Sequence, residues 1–228
     1  MTNDGKPRDG AQAPAPAKRP YRHRTGLYSF ARVLFRILSY VLFPLRYHGR
    51  ENLLSAQAPF MLVSNHTSFL DPIALALALP EKQIHFLGKR ELNAGRLFSA
   101  ILRDLNMISV SRHATDMAAI RACNEVLKAG DVLGIFPEGT RNREENFMKG
   151  VENGLSMIAL RNRVPVVPAY IHRKVRLFRP THIYFLPAIA YDDLLDRGMG
   201  KDSVDELTRR FVEAMQGARS AAWLKPGA

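Results

Sequence analysis

The 228-residue sequence contains a single cysteine, Cys123. One cysteine excludes a disulfide-stabilised scaffold and a multi-cysteine zinc site, and it is typical of a protein that faces a reducing compartment. The histidines other than His66 are scattered along the chain without the spacing of metal ligands, so no metal site is expected. Neither a G-x-G-x-x-G run nor a Walker phosphate-binding loop is present, which argues against a nucleotide cofactor.

Acidic residues are the scarcer charge, with 21 Asp and Glu against 33 Lys and Arg, so the formal net charge is +12. Such an excess favours binding to phosphates, either of nucleic acid or of a membrane surface. Residues 1–50 carry a net charge of +8, whereas residues 51–228 carry only +4. Because this larger part is weakly basic and has no interleaved basic and aromatic residues, nucleic-acid binding is not expected.

The basic N-terminal part has two segments of different composition. Residues 1–22 are rich in Ala, Pro, Gly and charge, without apolar periodicity, and are predicted to be a disordered basic arm. Residues 23–48 are strongly apolar and are predicted to form an amphipathic, membrane-associated helix. The basic lead is too long for a secretory signal peptide, and no small-residue cleavage site follows it.

The polar residues of this predicted helix fall on one narrow stripe. At 100° per residue they lie within an arc of about 80°; they are Thr25, Ser29, Arg32, Arg36 and Ser39. Insertion of the apolar side chains into a bilayer is favourable, but insertion of the two arginines is unfavourable by a similar free energy. The helix could therefore span the bilayer or lie in its interface. The stripe favours the interface, and packing on the protein's own domain is the alternative.

The rest of the chain is predicted to form one α/β domain, residues 49–220, with a tail at residues 221–228. Short apolar runs predict strands at Phe60–Ser64, Ile84–Leu87, Met107–Val110, Val132–Phe136, Val164–Tyr170 and His182–Leu186. Helical patterns lie at Pro72–Leu79, Glu91–Leu102, Ala114–Lys128, Val151–Arg161 and Ser203–Ala218. This alternation predicts a mostly parallel central sheet flanked by helices, with the functional site at the carboxyl ends of its strands.

The segment S-N-H-T-S-F-L-D-P, residues 64–72, holds the first candidate site. His66 and Asp71 can meet only if His66 lies in a loop, because five helical residues would separate their side chains by about 140°. Pro72 favours that arrangement, since proline suits the first helical position and places Asp71 at the N-cap. If the Asp71 carboxylate bonds one ring nitrogen of His66, the other nitrogen becomes a better general base. In the alternative interpretation, Asp71 only caps the helix and His66 is a polar loop residue.

The segment G-I-F-P-E-G-T-R-N, residues 134–142, is a strand that runs into a tight turn. Gly139 permits a positive φ and close approach of a ligand, and Arg141 offers a planar fork to phosphate. Glu138 would orient that guanidinium or accept a hydrogen bond from a substrate hydroxyl. A β-turn with a surface ion pair is the alternative interpretation.

These two segments resemble the first and third motif blocks of the PlsC-like glycerolipid acyltransferases, the lysophosphatidic acid acyltransferase family. The matching runs are N-H-x-x-x-x-D at 65–71 and F-P-E-G-T-R at 136–141. Weaker likenesses are I-S-V-S-R at 108–112, V-P-V-V-P-A-Y at 164–170 and G-K-R-E-L at 88–92. Order and spacing agree over roughly half of the chain.

The resemblance implies a role for each matching residue. His66 would be the general base that deprotonates the acceptor hydroxyl, and Asp71 would orient it. The implied substrate-binding residues are Lys89, Arg112, Glu138, Gly139, Thr140, Arg141 and Lys149, of which Arg112 would hold the acceptor phosphate. Pro165 and Pro168 would help to line an acyl pocket. The family chemistry implies no cofactor and no metal.

The function implied by the resemblance is transfer of a fatty acyl group from acyl-CoA or acyl-carrier protein to a lysophospholipid. The implied reaction converts 1-acylglycerol-3-phosphate to phosphatidic acid at the cytoplasmic face of the inner membrane. Another acceptor, such as a lyso-ornithine lipid, is an alternative, because Asn106 and Ser109 depart from the family's usual residues. More remote alternatives are a thioester hydrolase and a non-catalytic membrane-surface binder.

Overall fold

The computed structural model describes residues 33–34, 36–37, 39, 41–89, 108–110, 117–139, 147–148, 151 and 153–223. The strands are β1 (Leu45–His48), β2 (Phe60–Ser64), β3 (Ile84–Lys89), β4 (Ile108–Val110), β5 (Val132–Ile135), β6 (Val166–His172) and β7 (Thr181–Phe185). The helices are α1 (Arg50–Ser55), α2 (Asp71–Ala78), α3 (Met117–Lys128), α4 (Gly154–Asn162), α5 (Asp192–Arg197) and α6 (Lys201–Trp223).

The seven strands form one sheet in the order β1-β7-β6-β2-β5-β3-β4. Every neighbouring pair is parallel except β6 and β7, which are antiparallel. The central strand β2 pairs with β5 on one side and with β6 on the other. The α/β fold with a mostly parallel sheet, predicted from the alternation of apolar runs, is therefore confirmed.

Two hydrophobic clusters cover the two faces of this sheet. Met61 and Val63 belong to one cluster, together with residues of α3, α4 and α6. Phe60 and Leu62 belong to the other, together with residues of α1 and α2. Successive side chains of a strand point to opposite faces, so a run that is apolar throughout suits a strand that is covered on both sides.

The structure corrects several predicted boundaries. The helix predicted over 23–48 is wrong after Val41, because residues 42–44 are not helical and Leu45–His48 is strand β1, which pairs in parallel with β7. Gly49 is the N-cap residue of α1 and has a φ of 66°, and a Cβ there would lie 2.3 Å from the carbonyl oxygen of Phe185. The domain predicted to end at residue 220 continues, because α6 extends to Trp223.

Only part of the predicted N-terminal helix falls within the described residues. Those that are helical are Val33, Leu34, Arg36, Ile37, Ser39 and Val41. Among the described residues, no helix combines the length and the apolar character needed to cross a bilayer. The predicted helix Glu91–Leu102 and the predicted arm at residues 1–22 lie outside the described residues.

Candidate active site

The candidate site lies at the carboxyl edge of the sheet, where β2 and β5 end side by side. The two strands are parallel neighbours, with Val63 opposite Ile135. His66 follows the end of β2 by two residues, and Glu138 follows the end of β5 by three. Parallel pairing thus brings together two segments that are about 70 residues apart in sequence, as expected for a site in this fold class.

His66 and Asp71 form a direct pair. Nδ1 of His66 lies 3.0 Å from Oδ2 of Asp71, the carboxylate is fully buried, and the imidazole remains 19% exposed. An ionised carboxylate only accepts hydrogen bonds, so the shared proton belongs to Nδ1. The Nε2 atom is then the basic nitrogen that can accept a proton from a bound molecule.

The Asp71 carboxylate also holds the loop that carries His66. Its Oδ2 accepts hydrogen bonds from the main-chain N–H of Thr67 at 2.5 Å and of Ser68 at 2.7 Å. Its Oδ1 accepts from the Thr67 hydroxyl at 3.2 Å. Helix α2 begins at Asp71 with Leu70 in the N-cap position, so the predicted capping role of Asp71 is wrong. The carboxylate turns back to the loop, where the N–H groups of Thr67 and Ser68 donate to it.

The imidazole of His66 stacks on the ring of Phe136, with 4.3 Å between their centroids. Phe136 in turn stacks on Phe86 of β3, at 5.6 Å. Phe86 is almost fully buried and lies over Gly134, where an added Cβ would come within 2.4 Å of its ring. The orientation of His66 therefore depends on the stacked rings of Phe136 and Phe86, which have room only because Gly134 has no side chain.

The Glu138 carboxylate binds main-chain groups from two different segments. Its Oε2 accepts from the N–H of His66 at 3.3 Å, and its Oε1 accepts from the N–H of Met148 at 3.0 Å. Gly139 closes the turn, with a φ of 61° and an N–H that donates to Phe136 O. Glu138 thus positions the loop of His66, and its predicted contact with substrate stays a prediction.

Asn65 is a site residue whose role the sequence pattern does not reveal. Its side-chain amide donates to Ile171 O at 3.0 Å, and its side-chain oxygen accepts from Ile171 N–H at 2.7 Å. Both residues are buried, and Ile171 lies near the carboxyl end of β6. Asn65 therefore joins the loop of His66 to a neighbouring strand. The only sequence signal was its place beside His66 in the first motif block.

The other predicted site residues are placed as follows. Arg112, Thr140, Arg141 and Lys149 lie outside the described residues. Lys89 ends β3, which is parallel to β5, so its backbone lies at the same edge as His66. Pro168 is buried within β6. Pro165 is exposed and precedes β6, about 20 Å along the strand from Ile171, so the structure does not bring it to this edge.

Other chemically reactive side chains stand apart from this site. Cys123 is buried in α3, and burial raises the pKa of its thiol to about 12. It is therefore a core residue. Among the described residues, no three His, Cys, Asp or Glu side chains cluster in a way that could hold a metal ion.

Comparison with known proteins gives consistent matches. A family model described as Acyltransferase matches residues 44–172, more than half of the chain. The 1-acyl-sn-glycerol-3-phosphate acyltransferase of Bacillus subtilis is 28% identical over 143 residues, which are 63% of this chain and 70% of that protein. The protein of the same name from Streptococcus pneumoniae is 29% identical over 123 residues, 54% of this chain and 45% of its own length.

A chloroplastic relative, the 1-acyl-sn-glycerol-3-phosphate acyltransferase LPAT1 of Arabidopsis thaliana, is 30% identical over 152 residues. The match covers 65% of this chain and 41% of that protein, so this chain spans less than half of two of these three relatives. Among solved structures, the 1-acyl-sn-glycerophosphate acyltransferase PlsC from Thermotoga maritima has a similar fold. Its TM-score is 0.64 at 24% identity, over 88% of this chain and 82% of that chain.

Proposed function

Because this chain is an enzyme of the Acyltransferase family, we propose that it transfers a fatty acyl group to the free hydroxyl of 1-acylglycerol-3-phosphate, giving phosphatidic acid. The acyl donor is a thioester, either acyl-CoA or acyl-carrier protein. The observation that carries the proposal is the His66–Asp71 pair at the carboxyl edge of the sheet. The names of the relatives, all 1-acyl-sn-glycerol-3-phosphate acyltransferases, support this choice of acceptor.

The proposed mechanism is direct transfer without an acyl-enzyme intermediate. Nε2 of His66 takes the proton of the acceptor hydroxyl while that oxygen attacks the thioester carbonyl carbon. When the tetrahedral intermediate collapses, the C–S bond breaks and the thiolate takes the proton from the imidazolium. Asp71 keeps the other nitrogen protonated and stabilises the positive charge. No step in this mechanism uses a metal or a cofactor.

Phosphate recognition is assigned to the basic residues of the motif blocks. Arg112 and Arg141 would bind the phosphate of the acceptor through planar, charge-assisted hydrogen bonds, with Lys89 and Lys149 as further cations. Thr140 and Gly139 would complete the acceptor site. Pro168 would line the acyl pocket.

The proposed location is the cytoplasmic face of the inner membrane, with the N-terminal helix lying in the interface. Four apolar residues of that segment support this location, because they are between 42% and 66% exposed: Val33, Leu34, Ile37 and Val41. Exposed apolar side chains on one segment are typical of a membrane-contacting surface.

The decisive experiment measures phosphatidic acid formation from acyl-CoA or acyl-carrier protein and 1-acylglycerol-3-phosphate. We expect His66→Gln to lower the rate by at least ~10²-fold, because a general base is lost. His182→Gln is the matched control, since it removes an imidazole of β7 that the mechanism does not use, and it should retain the wild-type rate at neutral pH. Near-normal transfer by His66→Gln, with its fold intact, would overturn the mechanism.

Two further arms of the same assay test the chemistry and the acceptor. Omitting the lysolipid should abolish thiol release, whereas a thioester hydrolase would continue to release thiol at an undiminished rate. Replacing the acceptor by a lyso-ornithine lipid should lower the rate if the phosphate of 1-acylglycerol-3-phosphate is recognised. A preference for the lyso-ornithine lipid would keep the transfer chemistry and contradict the proposed acceptor.

A further inference from the structure

We propose that residues 173–180, the loop between β6 and β7, form a docking hairpin that inserts into an anionic phospholipid bilayer. This proposal goes beyond the reaction, since it concerns how the active-site edge is set against the membrane that holds the acceptor. It also assigns membrane contact to a second part of the chain, far in sequence from the N-terminal helix.

The composition of the docking hairpin suits an anionic surface. Its sequence, R-K-V-R-L-F-R-P, contains four basic residues and no acidic residue. Arg176 and Arg179 face each other across an isolated antiparallel bridge, so Leu177 and Phe178 form the tip. These two side chains are 56% and 67% exposed. An apolar tip flanked by arginines can bury its apolar part among acyl chains while the cations bind lipid phosphates.

The backbone of the tip keeps the Phe178 side chain at the surface. Phe178 has a φ of 57°, a conformation that is unfavourable for a bulky side chain. Its N–H donates to the carbonyl oxygen of Leu42 at 2.8 Å, and Thr181 N–H donates to Pro44 O at 2.8 Å. A strained residue that persists with a large exposed ring points to a functional constraint rather than to packing.

The sheet places the docking hairpin at the same edge as His66. Strand β6 is parallel to β2, so its last residue, His172, lies at the edge where β2 leads to His66. Strand β7 is antiparallel to β6 and therefore starts at that edge, with His172 opposite His182. The docking hairpin joins these two strands, so it projects from the active-site edge.

The N-terminal segment reaches this edge as well. Strand β1 is parallel to β7, with Leu45 opposite Thr181, so the chain enters β1 from the active-site side. Val41, which is 66% exposed, immediately precedes Leu42, the residue bonded to Phe178. A main-chain hydrogen bond thus joins the tip of the docking hairpin to the N-terminal segment. A single bilayer surface can cover both segments.

The docking hairpin is also coupled directly to the catalytic loop. Asn65, the neighbour of His66, is bonded in both directions to Ile171. Ile171 lies two residues before Arg173, where the docking hairpin begins. The strand that leads into the docking hairpin is thus the same strand that holds the loop of His66.

An acidic protein partner, such as a carrier protein, is the competing occupant. Four cations alone would suit such a partner. The exposed Leu177 and Phe178 at the tip favour a bilayer instead, as does the nearby N-terminal segment, whose Val33, Leu34, Ile37 and Val41 are also exposed. The two occupants differ in one measurable respect: only a bilayer places the tip among acyl chains.

The first experiment reads insertion of the tip in the full-length protein. Phe178→Trp is placed in a Trp223→Phe background, which leaves one tryptophan in the chain. Vesicles of phosphatidylglycerol with dibrominated acyl chains should quench its fluorescence. The matched control is Met199→Trp in the same background, because Met199 is 62% exposed and lies between α5 and α6. Quenching at position 178 no greater than at position 199, with the protein bound to vesicles, would overturn the proposal.

The second experiment measures partition onto the same vesicles. Leu177→Ser with Phe178→Asn should weaken binding by about tenfold, since two apolar side chains are lost from the interface. Asn tolerates the positive φ at position 178. The control Met199→Asn should bind as the wild type does. Arg176→Glu with Arg179→Glu should weaken binding in a salt-dependent manner, whereas Arg161→Glu on α4 should have little effect.

Transfer activity separates this proposal from the proposed function. With substrates dispersed in detergent, the hairpin variants should retain wild-type transfer, because none of the altered residues belongs to the catalytic site. If they bind vesicles normally but lose transfer from acyl-carrier protein alone, the docking hairpin binds the carrier protein and the membrane assignment is wrong. Loss of activity in His66→Gln, by contrast, tests only the reaction.

Discussion

Asn65 and Ile171 are joined by a reciprocal pair of hydrogen bonds between a side-chain amide and both main-chain groups of one residue. Through this pair, the contact between β2 and β6 extends by one residue into the loop of His66. Because Ile171 is only 1% exposed, its N–H and C=O would be left buried without these partners. The loop of His66 is thereby fixed from the sheet and not only by Asp71.

Replacing Asn65 tests this connection. Asn65→Ala should lower the free energy of unfolding by about 2–4 kcal/mol, because two buried main-chain groups lose their partners. Asn65→Asp keeps an acceptor for Ile171 N–H but places a carboxylate against the carbonyl oxygen, so it should not restore stability. Chemical denaturation measures both, with Gln216→Ala on α6 as an exposed amide control that should change stability by less than about 1 kcal/mol. Wild-type stability in Asn65→Asp would contradict the reciprocal pairing.

Glu138 offers a test of positioning against substrate binding. Glu138→Gln keeps one acceptor oxygen, but its NH₂ group faces either the His66 N–H or the Met148 N–H, so one contact is lost. We expect kcat to fall about tenfold with little change in KM, because the His66 loop is displaced. Steady-state kinetics separates the two parameters, and Glu125→Gln on α3 serves as an exposed control. A raised KM with unchanged kcat would show instead that Glu138 contacts the substrate.

Gly134 supports the row of rings beneath His66. A Cβ at this position would lie 2.4 Å from Phe86 Cδ1 and 2.9 Å from Ile84 Cγ2, both buried side chains that cannot move freely. Gly134→Ala should therefore cost about 1–3 kcal/mol of stability and reduce transfer through displacement of Phe86 and Phe136. Gly217→Ala on α6 is the control, because a Cβ there meets nothing within 4 Å. Equal stability of the two variants would contradict this account of the ring stack.

His182 should make the protein sensitive to acid. Burial, together with Arg46 and Arg173, holds the pKa of this imidazole below its usual 6.5, and Nδ1 lies 2.9 Å from Nε2 of His48. Because the pKa of His182 is lower in the folded state, the unfolded state binds more protons as the pH falls. The contribution of neutral His182 to the free energy of unfolding is therefore complete above pH 6.5 and is lost as the pH falls through the folded-state pKa. His182→Gln should flatten the fall in melting temperature between about pH 7 and pH 5. If the melting temperature of His182→Gln fell with pH as steeply as that of the wild type, the assigned role of His182 would be wrong.

The elements that could be predicted from sequence are those whose signal is local. The run F-M-L-V-S predicted β2 at both of its ends, because five apolar or small residues bounded by a proline and a polar loop have few alternatives. Strand β1 was missed because L-R-Y-H continues an apolar helical pattern and is a strand only through its pairing with β7. Short α5 was missed for a similar reason, since six residues carry too little periodicity.

The contacts of the candidate site also fall into those that local sequence predicts and those that depend on the tertiary structure. The contact between His66 and Asp71 follows from their spacing and from Pro72, and the structure places the two side chains 3.0 Å apart. The contacts of Asn65 with Ile171 and of Glu138 with Met148 could not be predicted, because they depend on which strands become neighbours. Phe136 was recognised only as the end of a strand, and its stacking on His66 follows from the turn that comes after it.

The order of strands in the sheet has a consequence for synthesis of the chain. Strand β2 emerges from the ribosome early, yet its neighbours are β5 and β6, which begin about 70 and 100 residues later. Its five buried residues have no sheet partner until β5 has been synthesised, and they lack the second partner, β6, until translation has passed residue 172. The apolar strand F-M-L-V-S therefore lacks any sheet partner, and is exposed to aggregation, over about 70 residues of elongation. The loop of His66 gains its contact with Ile171 only after β6 has been made.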